Sequence, residues 1–214
     1  MREFRERTGM SPIKLTIAAG IAVFCAGLAS AQTPANSDPM AVQAGTYSVE
    51  PGHTRVVFSL SHMGFSTWYG DFSGVSGSLE IDPRNARADH LSVTVPIASV
   101  STTNAKLDGE LRADDWLDAA KYPTATFVST TVTPTGAGTA DVTGDFTLHG
   151  VTKPLTLHVK FHGAGINPLS KAYTIGFDAS GTFKRGAFGV TKDLPLIGDD
   201  IDLILSGAFV KTAS

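Results

Sequence analysis

From Thr46 onward the chain alternates apolar and polar residues, and that pattern restricts most of it to β-structure. In residues 54–62 (TRVVFSLSH), Val56, Phe58, Leu60 and His62 share one face, while Val57, Ser59 and Ser61 share the other. Leu155, Leu157, Val159 and Phe161 align in the same way, as do Ile175, Phe177, Ala179, Gly181 and Phe183, and again Ile201, Leu203, Leu205, Gly207 and Phe209. Successive side chains of a strand point to opposite sides, so each of these segments has one dry and one wet face. Further strands are expected over residues 75–82, 90–100, 124–133 and 139–149. Turn chemistry separates them: Asp82-Pro83-Arg84-Asn85, Pro134-Thr135-Gly136-Ala137-Gly138 and His149-Gly150. Such short connections force antiparallel pairing.

One interruption reads as helical. Asn104 is placed to cap a turn in which Leu107 and Leu111 pair at i,i+4. Asp114 or Asp115 is placed to cap a second turn through Trp116, Leu117 and Ala120, which Pro123 ends. Two amphipathic turns in an otherwise all-β chain suggest a lid or plug. Roughly eight to ten strands with alternating faces suggest a sandwich or a closed antiparallel barrel; their length favours the barrel, because an open sheet would leave long unpaired edges. Ala179, Gly181 and Gly207 lie on dry faces beside large residues. They either leave volume for a ligand, as in lipocalins, or relieve a tight corner of a filled barrel. The residues alone leave both readings open.

The N-terminus carries a different signal. Arg2, Arg5, Arg7 and Lys14 precede an uncharged run, residues 15–28, which ends at Ala29-Ser30-Ala31. A basic head, a short apolar run and a small-x-small exit define a secretory signal peptide, here expected to be cleaved near Ala31. Residues 32–45 are small, polar and broken by prolines, and read as a flexible leader. Cleavage would remove four basic and two acidic side chains from totals of 17 and 20, leaving a net charge of −5. It would also remove Cys25, the single cysteine. Disulfides, thiolate metal sites and thiol catalysis are then excluded from the mature chain. No Lys/Arg block favours nucleic acid or an anionic membrane surface. No second apolar stretch is long enough to span a bilayer as a helix.

Chemistry-bearing constellations are sparse. His53, His62 and His149 lack zinc-site spacing, and Asp199, Asp200 and Asp202 lack the loop pattern of a calcium site, so no metal is expected. No nucleophile elbow or glycine-rich phosphate loop appears, and no catalytic residue is assigned. His158 and His162 read as exposed. Arg112 with Asp114 reads as a pair that fixes the helical segment, and Arg185 as solvated unless a head group approaches it.

Several ordered motifs between Thr46 and Thr212 carry a resemblance. They are Tyr47-Ser48-Val49-Glu50-Pro51-Gly52-His53-Thr54, Ser61-His62-Met63-Gly64-Phe65, Leu111-Arg112-Ala113-Asp114-Asp115-Trp116-Leu117-Asp118 and Lys121-Tyr122-Pro123-Thr124-Ala125-Thr126-Phe127. Gly144-Asp145-Phe146-Thr147-Leu148-His149-Gly150-Val151-Thr152-Lys153-Pro154 is the most specific, and Phe183-Lys184-Arg185-Gly186-Ala187-Phe188-Gly189 follows it. In these blocks the chain resembles the YceI-like family of exported lipid-binding proteins. Thr54 stands where that family usually has serine, Trp116 replaces a phenylalanine, and Ala187 replaces an acidic residue.

The resemblance implies an extended, lipocalin-like antiparallel β-barrel over residues 46–212 with a short helical insertion. It implies a polyisoprenoid or quinone-like lipid held in the lumen, no other cofactor, and a periplasmic location. Expected lumen residues are Phe58, Leu60, His62 and Phe72 from the first strands, and Val93, Val95, Phe127, Phe146 and Leu148 from the middle ones. Ile175, Phe177, Phe183 and Leu203 complete the set, with His53 and Arg185 as candidate head-group contacts. The expected role is a periplasmic carrier or binding protein; the alternatives are an enzyme acting on an isoprenoid lipid and a stress-induced, chaperone-like protein. Membrane redox enzymes are candidate lipid donors or acceptors, and a second copy of the chain is a candidate partner.

Overall fold

The structure is a computed structural model and describes residues 35–212; the expected signal peptide lies outside them. The strands are β1 (Gly45–Val49), β2 (Arg55–His62), β3 (Ser66–Phe72), β4 (Ser76–Ile81), β5 (His90–Pro96), β6 (Thr124–Gly136), β7 (Thr139–Leu148), β8 (Val151–Ile166), β9 (Tyr173–Lys184) and β10 (Asp200–Lys211). All pairings between them are antiparallel, in the order β1-β4-β5-β6-β7-β8-β9-β10, and β10 pairs back onto β1. The ring therefore closes, as expected; β3 pairs with β2 and is bridged on its other side at Asp71 and Ser101.

Eight staves come from ten strand segments because two staves are broken. Segments β1 and β2 lie end to end along one edge of β10, opposite Phe209–Lys211 and Asp202–Ser206 respectively. Segments β3 and β4 lie end to end against them. Pro51 and Gly52 interrupt the first stave, since proline offers no N–H to the ladder. Thr54 repairs the break: its hydroxyl accepts from the Ala208 N–H at 3.1 Å and donates to the Glu50 carbonyl at 2.8 Å.

The helical insertion forms only in its first half. Helix α1 spans Ala105–Arg112, and the Asn104 side chain caps it by accepting from the Lys106 and Leu107 N–H groups. Residues 113–121 form successive turns instead of a second helix. Arg112 does not pair with Asp114 as expected; its guanidinium donates to the Ala98 carbonyl at 3.2 Å. The helix ends at this point, and the side chain reaches back to the strand side of the connection.

Chain direction sorts the connections to two ends. The hairpin tip at 62–66, the α1 segment at 97–123, the turn at 149–150 and the long loop at 185–199 gather at one end. The turns at 82–89, 137–138 and 167–172 gather at the other. Residues 36–42, within the segment read as a flexible leader, strap across this second end. Asn36 exchanges backbone hydrogen bonds with Ala164, and Val42 is inserted among Tyr47, Ile175 and Phe209. The Tyr47 hydroxyl donates to the Gln43 carbonyl at 2.5 Å, and the Tyr173 hydroxyl accepts from the Gln43 N–H. Burial of the Tyr47 phenol, reinforced by Tyr173, pushes its pKa up to about 12. One apolar side chain and a few backbone bonds fix a segment whose polar, proline-rich composition reads as loose.

Candidate functional site

The inward faces do not behave alike along the barrel. At the end bearing α1 they meet. Phe58 and Phe72 are in ring contact, with centroids 5.5 Å apart. Phe146, Phe183 and Phe188 form an edge-on triad at 5.1, 5.2 and 5.4 Å. Phe127, Leu155, Ile201 and Leu203 pack into the same core. Three inward glycines allow this density. A Cβ on Gly70 would stand 2.4 Å from the Phe58 ring, one on Gly144 2.6 Å from Phe127, and one on Gly181 2.9 Å from Leu157. The space at Gly181 is thus taken by a neighbour and is not left for a guest.

Toward the other end the inner faces separate around a cavity of about 580 Å³. Its walls include Val56, Val93, Val142, Leu157, Phe177 and Leu205, and Ala179 and Gly207 widen it. Its rim is formed by Asp38–Met40 of the strap, Pro83 and Arg84 of the β4–β5 turn, and Gly136–Gly138 between β6 and β7. This is within the usual size range of small-molecule sites, about 300–1,000 Å³. Among the described residues no group of His, Cys, Asp and Glu side chains is arranged to hold a metal ion.

The expected lumen set therefore divides. Val93 and Phe177 line the cavity. Phe58, Leu60, Phe72, Phe127, Phe146, Phe183 and Leu203 pack the filled half, and Leu148 packs with Ile97, Ala125 and Phe188 beyond it. Ile175 is fully buried under the strap, and Val95 packs beside the cavity core without lining it. His62 lies at the filled end, its ring 5.9 Å from that of Trp68. The strand pattern assigns all of these to the correct face, but position along the barrel decides whether a ring meets a cavity or another ring.

Both head-group candidates are corrected. His53 is exposed on the outer surface at the break between β1 and β2, where its Nδ1 pairs with Glu50 at 2.6 Å. Arg185 is buried, with 3% of its surface exposed, at the end opposite the rim. Its Nε and two terminal nitrogens donate to the carbonyls of Gly198 (2.8 Å), Val190 (2.9 Å) and Ile197 (2.8 Å). The guanidinium also lies 5.2 Å from the centre of the Trp116 ring. Burial lowers its pKa, and Asp199 and Asp193 oppose that shift. The histidines read as exposed are so: His158 pairs with Asp141 and His162 with Asp178 on the outer wall.

Asp89, in the β4–β5 turn, lines the cavity at the rim, a position the motifs do not mark. Burial raises its carboxyl pKa to about 6; a hydrogen bond from the Asp82 N–H opposes this, and the Asp82 charge adds to it. A carboxyl whose folded pKa lies above its unfolded value binds more protons when folded. Its contribution therefore favours folding below about pH 4 and is lost as pH rises to about 6. Thermal melts between pH 4 and 7 should show Asp89→Asn gaining stability relative to the wild type as pH rises. Parallel curves would contradict this assignment.

A closed antiparallel barrel with an apolar interior cavity defines the class of lipocalin-like barrels. Residues 47–209 match the family described as YceI-like domain, and the chain belongs to that family. It is 45% identical over 154 residues to a "UPF0312 protein" of Ectopseudomonas mendocina, covering 72% of this chain and 80% of that protein. The crystal structure of Burkholderia cenocepacia BcnA superposes with a TM-score of 0.68 at 27% identity, over 75% of this chain and 98% of BcnA. A polyisoprenoid binding domain from Saccharophagus degradans, implicated in plant cell wall breakdown, shares the fold with a TM-score of 0.57. Its identity is 15%, over 79% of this chain and all of that domain. No helix among the described residues is long and apolar enough to cross a membrane.

Proposed function

We propose that the chain binds the tail of a long amphiphile, a polyisoprenoid or quinone-like lipid, and carries it through the periplasm between membranes or membrane enzymes. The observation that carries this reading is the apolar cavity of about 580 Å³ enclosed by the barrel and open at one end. Each methylene moved from water into such a lining gains about 0.8 kcal/mol, so a prenyl or acyl tail supplies its own affinity without a charged site. Arg84 and Asp89 line the rim, and their polar groups are the ones this reading assigns to a head group. The family membership and the polyisoprenoid-binding fold relative support the same reading. The export signal read in residues 1–31 supports the location.

Lipid mass spectrometry on protein isolated without detergent tests it. A prenyl or quinone-like lipid should copurify with the wild type at close to one per chain. Ala179→Phe, whose ring would project into the cavity, should lose at least about nine-tenths of it while remaining folded. Lipid-free wild-type protein that also takes up no prenol would refute the proposal. Turnover of the bound lipid would point to an enzyme instead.

A further inference from the structure

The end of the barrel that carries the cavity rim also displays uncovered apolar side chains. Leu169 is 91% exposed at the tip of the turn at 167–172, and Met40, on the strap at the rim, is 63% exposed. Ile166 is exposed where β8 enters that turn. The turn is tied down. The Asn167 side chain accepts from the Leu169 and Ser170 N–H groups at 2.9 and 3.2 Å, and the Lys171 ammonium donates to the Pro168 carbonyl at 2.6 Å. Backbone bonds from the Asn167 N–H to Ala172 and from the Lys171 N–H to Asn167 close it. Cations accompany these apolar residues: Arg84 and Arg87 are exposed in the turn at 82–89, and Lys171 in the turn at 167–172. The acids of the same end are turned back on the backbone. Asp38 accepts from the Met40 N–H, Asp82 from the Arg84 N–H, and Asp89 from the Asp82 N–H.

We propose that this end of the barrel docks on an anionic membrane surface, with Leu169 and Met40 entering the leaflet and Arg84, Arg87 and Lys171 facing its phosphates. The proposal rests on the lipid-binding reading above and names the surface from which the lipid is collected. Apolar side chains buried at the interface give such a contact its hold, and neighbouring cations direct it to anionic lipid. Docking in this orientation sets the cavity rim against the bilayer, so an apolar tail passes from leaflet to lumen without crossing water. The sequence shows no basic block because the cations lie in two turns far apart in the chain, which the fold brings to one end. The opposite end exposes Met63, Phe65 and Leu196. Its charge is unsuited to an anionic surface: carboxylates outnumber cations in its connections at 97–123 and 185–199, and Lys192 and Lys184 are already paired with Asp115 and Asp200.

Vesicle flotation tests this on the exported protein, beginning at Gln32, so that the apolar run of residues 15–28 adds no affinity of its own. That chain contains the whole closed ring and its strap. Vesicles of mixed phosphatidylethanolamine and phosphatidylglycerol should bind it at least about tenfold better than vesicles of phosphatidylcholine, and added salt should weaken the binding. Leu169→Asp should lower partition onto the anionic vesicles at least about tenfold. Arg87→Gln combined with Lys171→Gln should lower it at least about fivefold, and Phe65→Asp should leave it within about twofold. Uptake of geranylgeraniol, measured on the same samples, should be unchanged in the Leu169 variant and the double variant, since none of these residues lines the cavity. A wild type that takes up geranylgeraniol but ignores anionic vesicles would overturn the docking and leave the carrier reading standing. No uptake of geranylgeraniol would overturn the reading on which it rests. Loss of vesicle binding in Phe65→Asp but not in Leu169→Asp would move the contact to the opposite end and overturn the proposal. So would a Leu169→Asp variant that turns a dimer into a monomer while its vesicle binding stays unchanged, which would make the patch a contact between copies.

Discussion

Replacing Arg185 by methionine should destabilise the protein by about 3–5 kcal/mol, with three charge-assisted hydrogen bonds of roughly 1.5–3 kcal/mol each at stake. Methionine fills much of the same volume but leaves the carbonyls of Gly198, Val190 and Ile197 without their donors. The loss extends beyond the loop. Trp116 receives the Arg185 guanidinium on one side and the Lys192 ammonium nearby, and Lys192 is also bonded to Asp115. The loop at 185–199 and the turns after α1 therefore close the barrel end as one unit. Arg185→Lys should recover little, because a single ammonium cannot point at three carbonyls arranged around a planar fork. Thermal denaturation measures it: at roughly 2–4 °C per kcal/mol for a chain of this size, the midpoint should fall by about 10 °C. A fall of less than 3 °C would show that the loop closes without this residue.

The second large effect is expected at Gly77. Its φ of +144° is a conformation that side-chain-bearing residues rarely adopt, and it pairs with Val93 across the β4–β5 ladder. A Cβ there would stand 2.1 Å from the Ser92 carbonyl oxygen and 2.8 Å from the Val93 Cα. Both are backbone atoms that can move only by parting the two strands. Gly77→Ala should cost about 4 kcal/mol, combining backbone strain with disruption of the ladder. Gly109 provides the contrast. It lies inside α1 with nothing within 4 Å of an added Cβ. Gly109→Ala should be neutral or raise stability by about 0.5–1 kcal/mol. Denaturant melts of the two variants would separate a steric requirement for glycine from mere occurrence of glycine.

Much of this fold was legible because its signal is local. Alternation placed Val56, Leu157, Phe177 and Leu205 on inward faces from spacing alone, and Asn104 marked the start of α1 through its capping chemistry. The division of the interior was not legible. Whether Phe58 meets a cavity or a packed wall depends on Gly70 on the paired strand, and whether Phe127 does depends on Gly144. No periodicity within one strand contains that information. Arg185 was hidden for a related reason. Its partners are backbone carbonyls of a loop without pattern, and carbonyl direction leaves no mark in a sequence. Asp89 was passed over because a single carboxylate in a turn looks solvated until the neighbouring rim covers it.

The packed end of the barrel also bears on how traffic would run. Where the rings of Phe146, Phe183 and Phe188 fill the interior there is no through passage, so under the proposed reading a guest threaded in tail first would back out by the doorway it used. Whatever collects it would grip the polar group first and draw the chain out behind it, and release would be timed at the threshold formed by the strap and the two turns beside it.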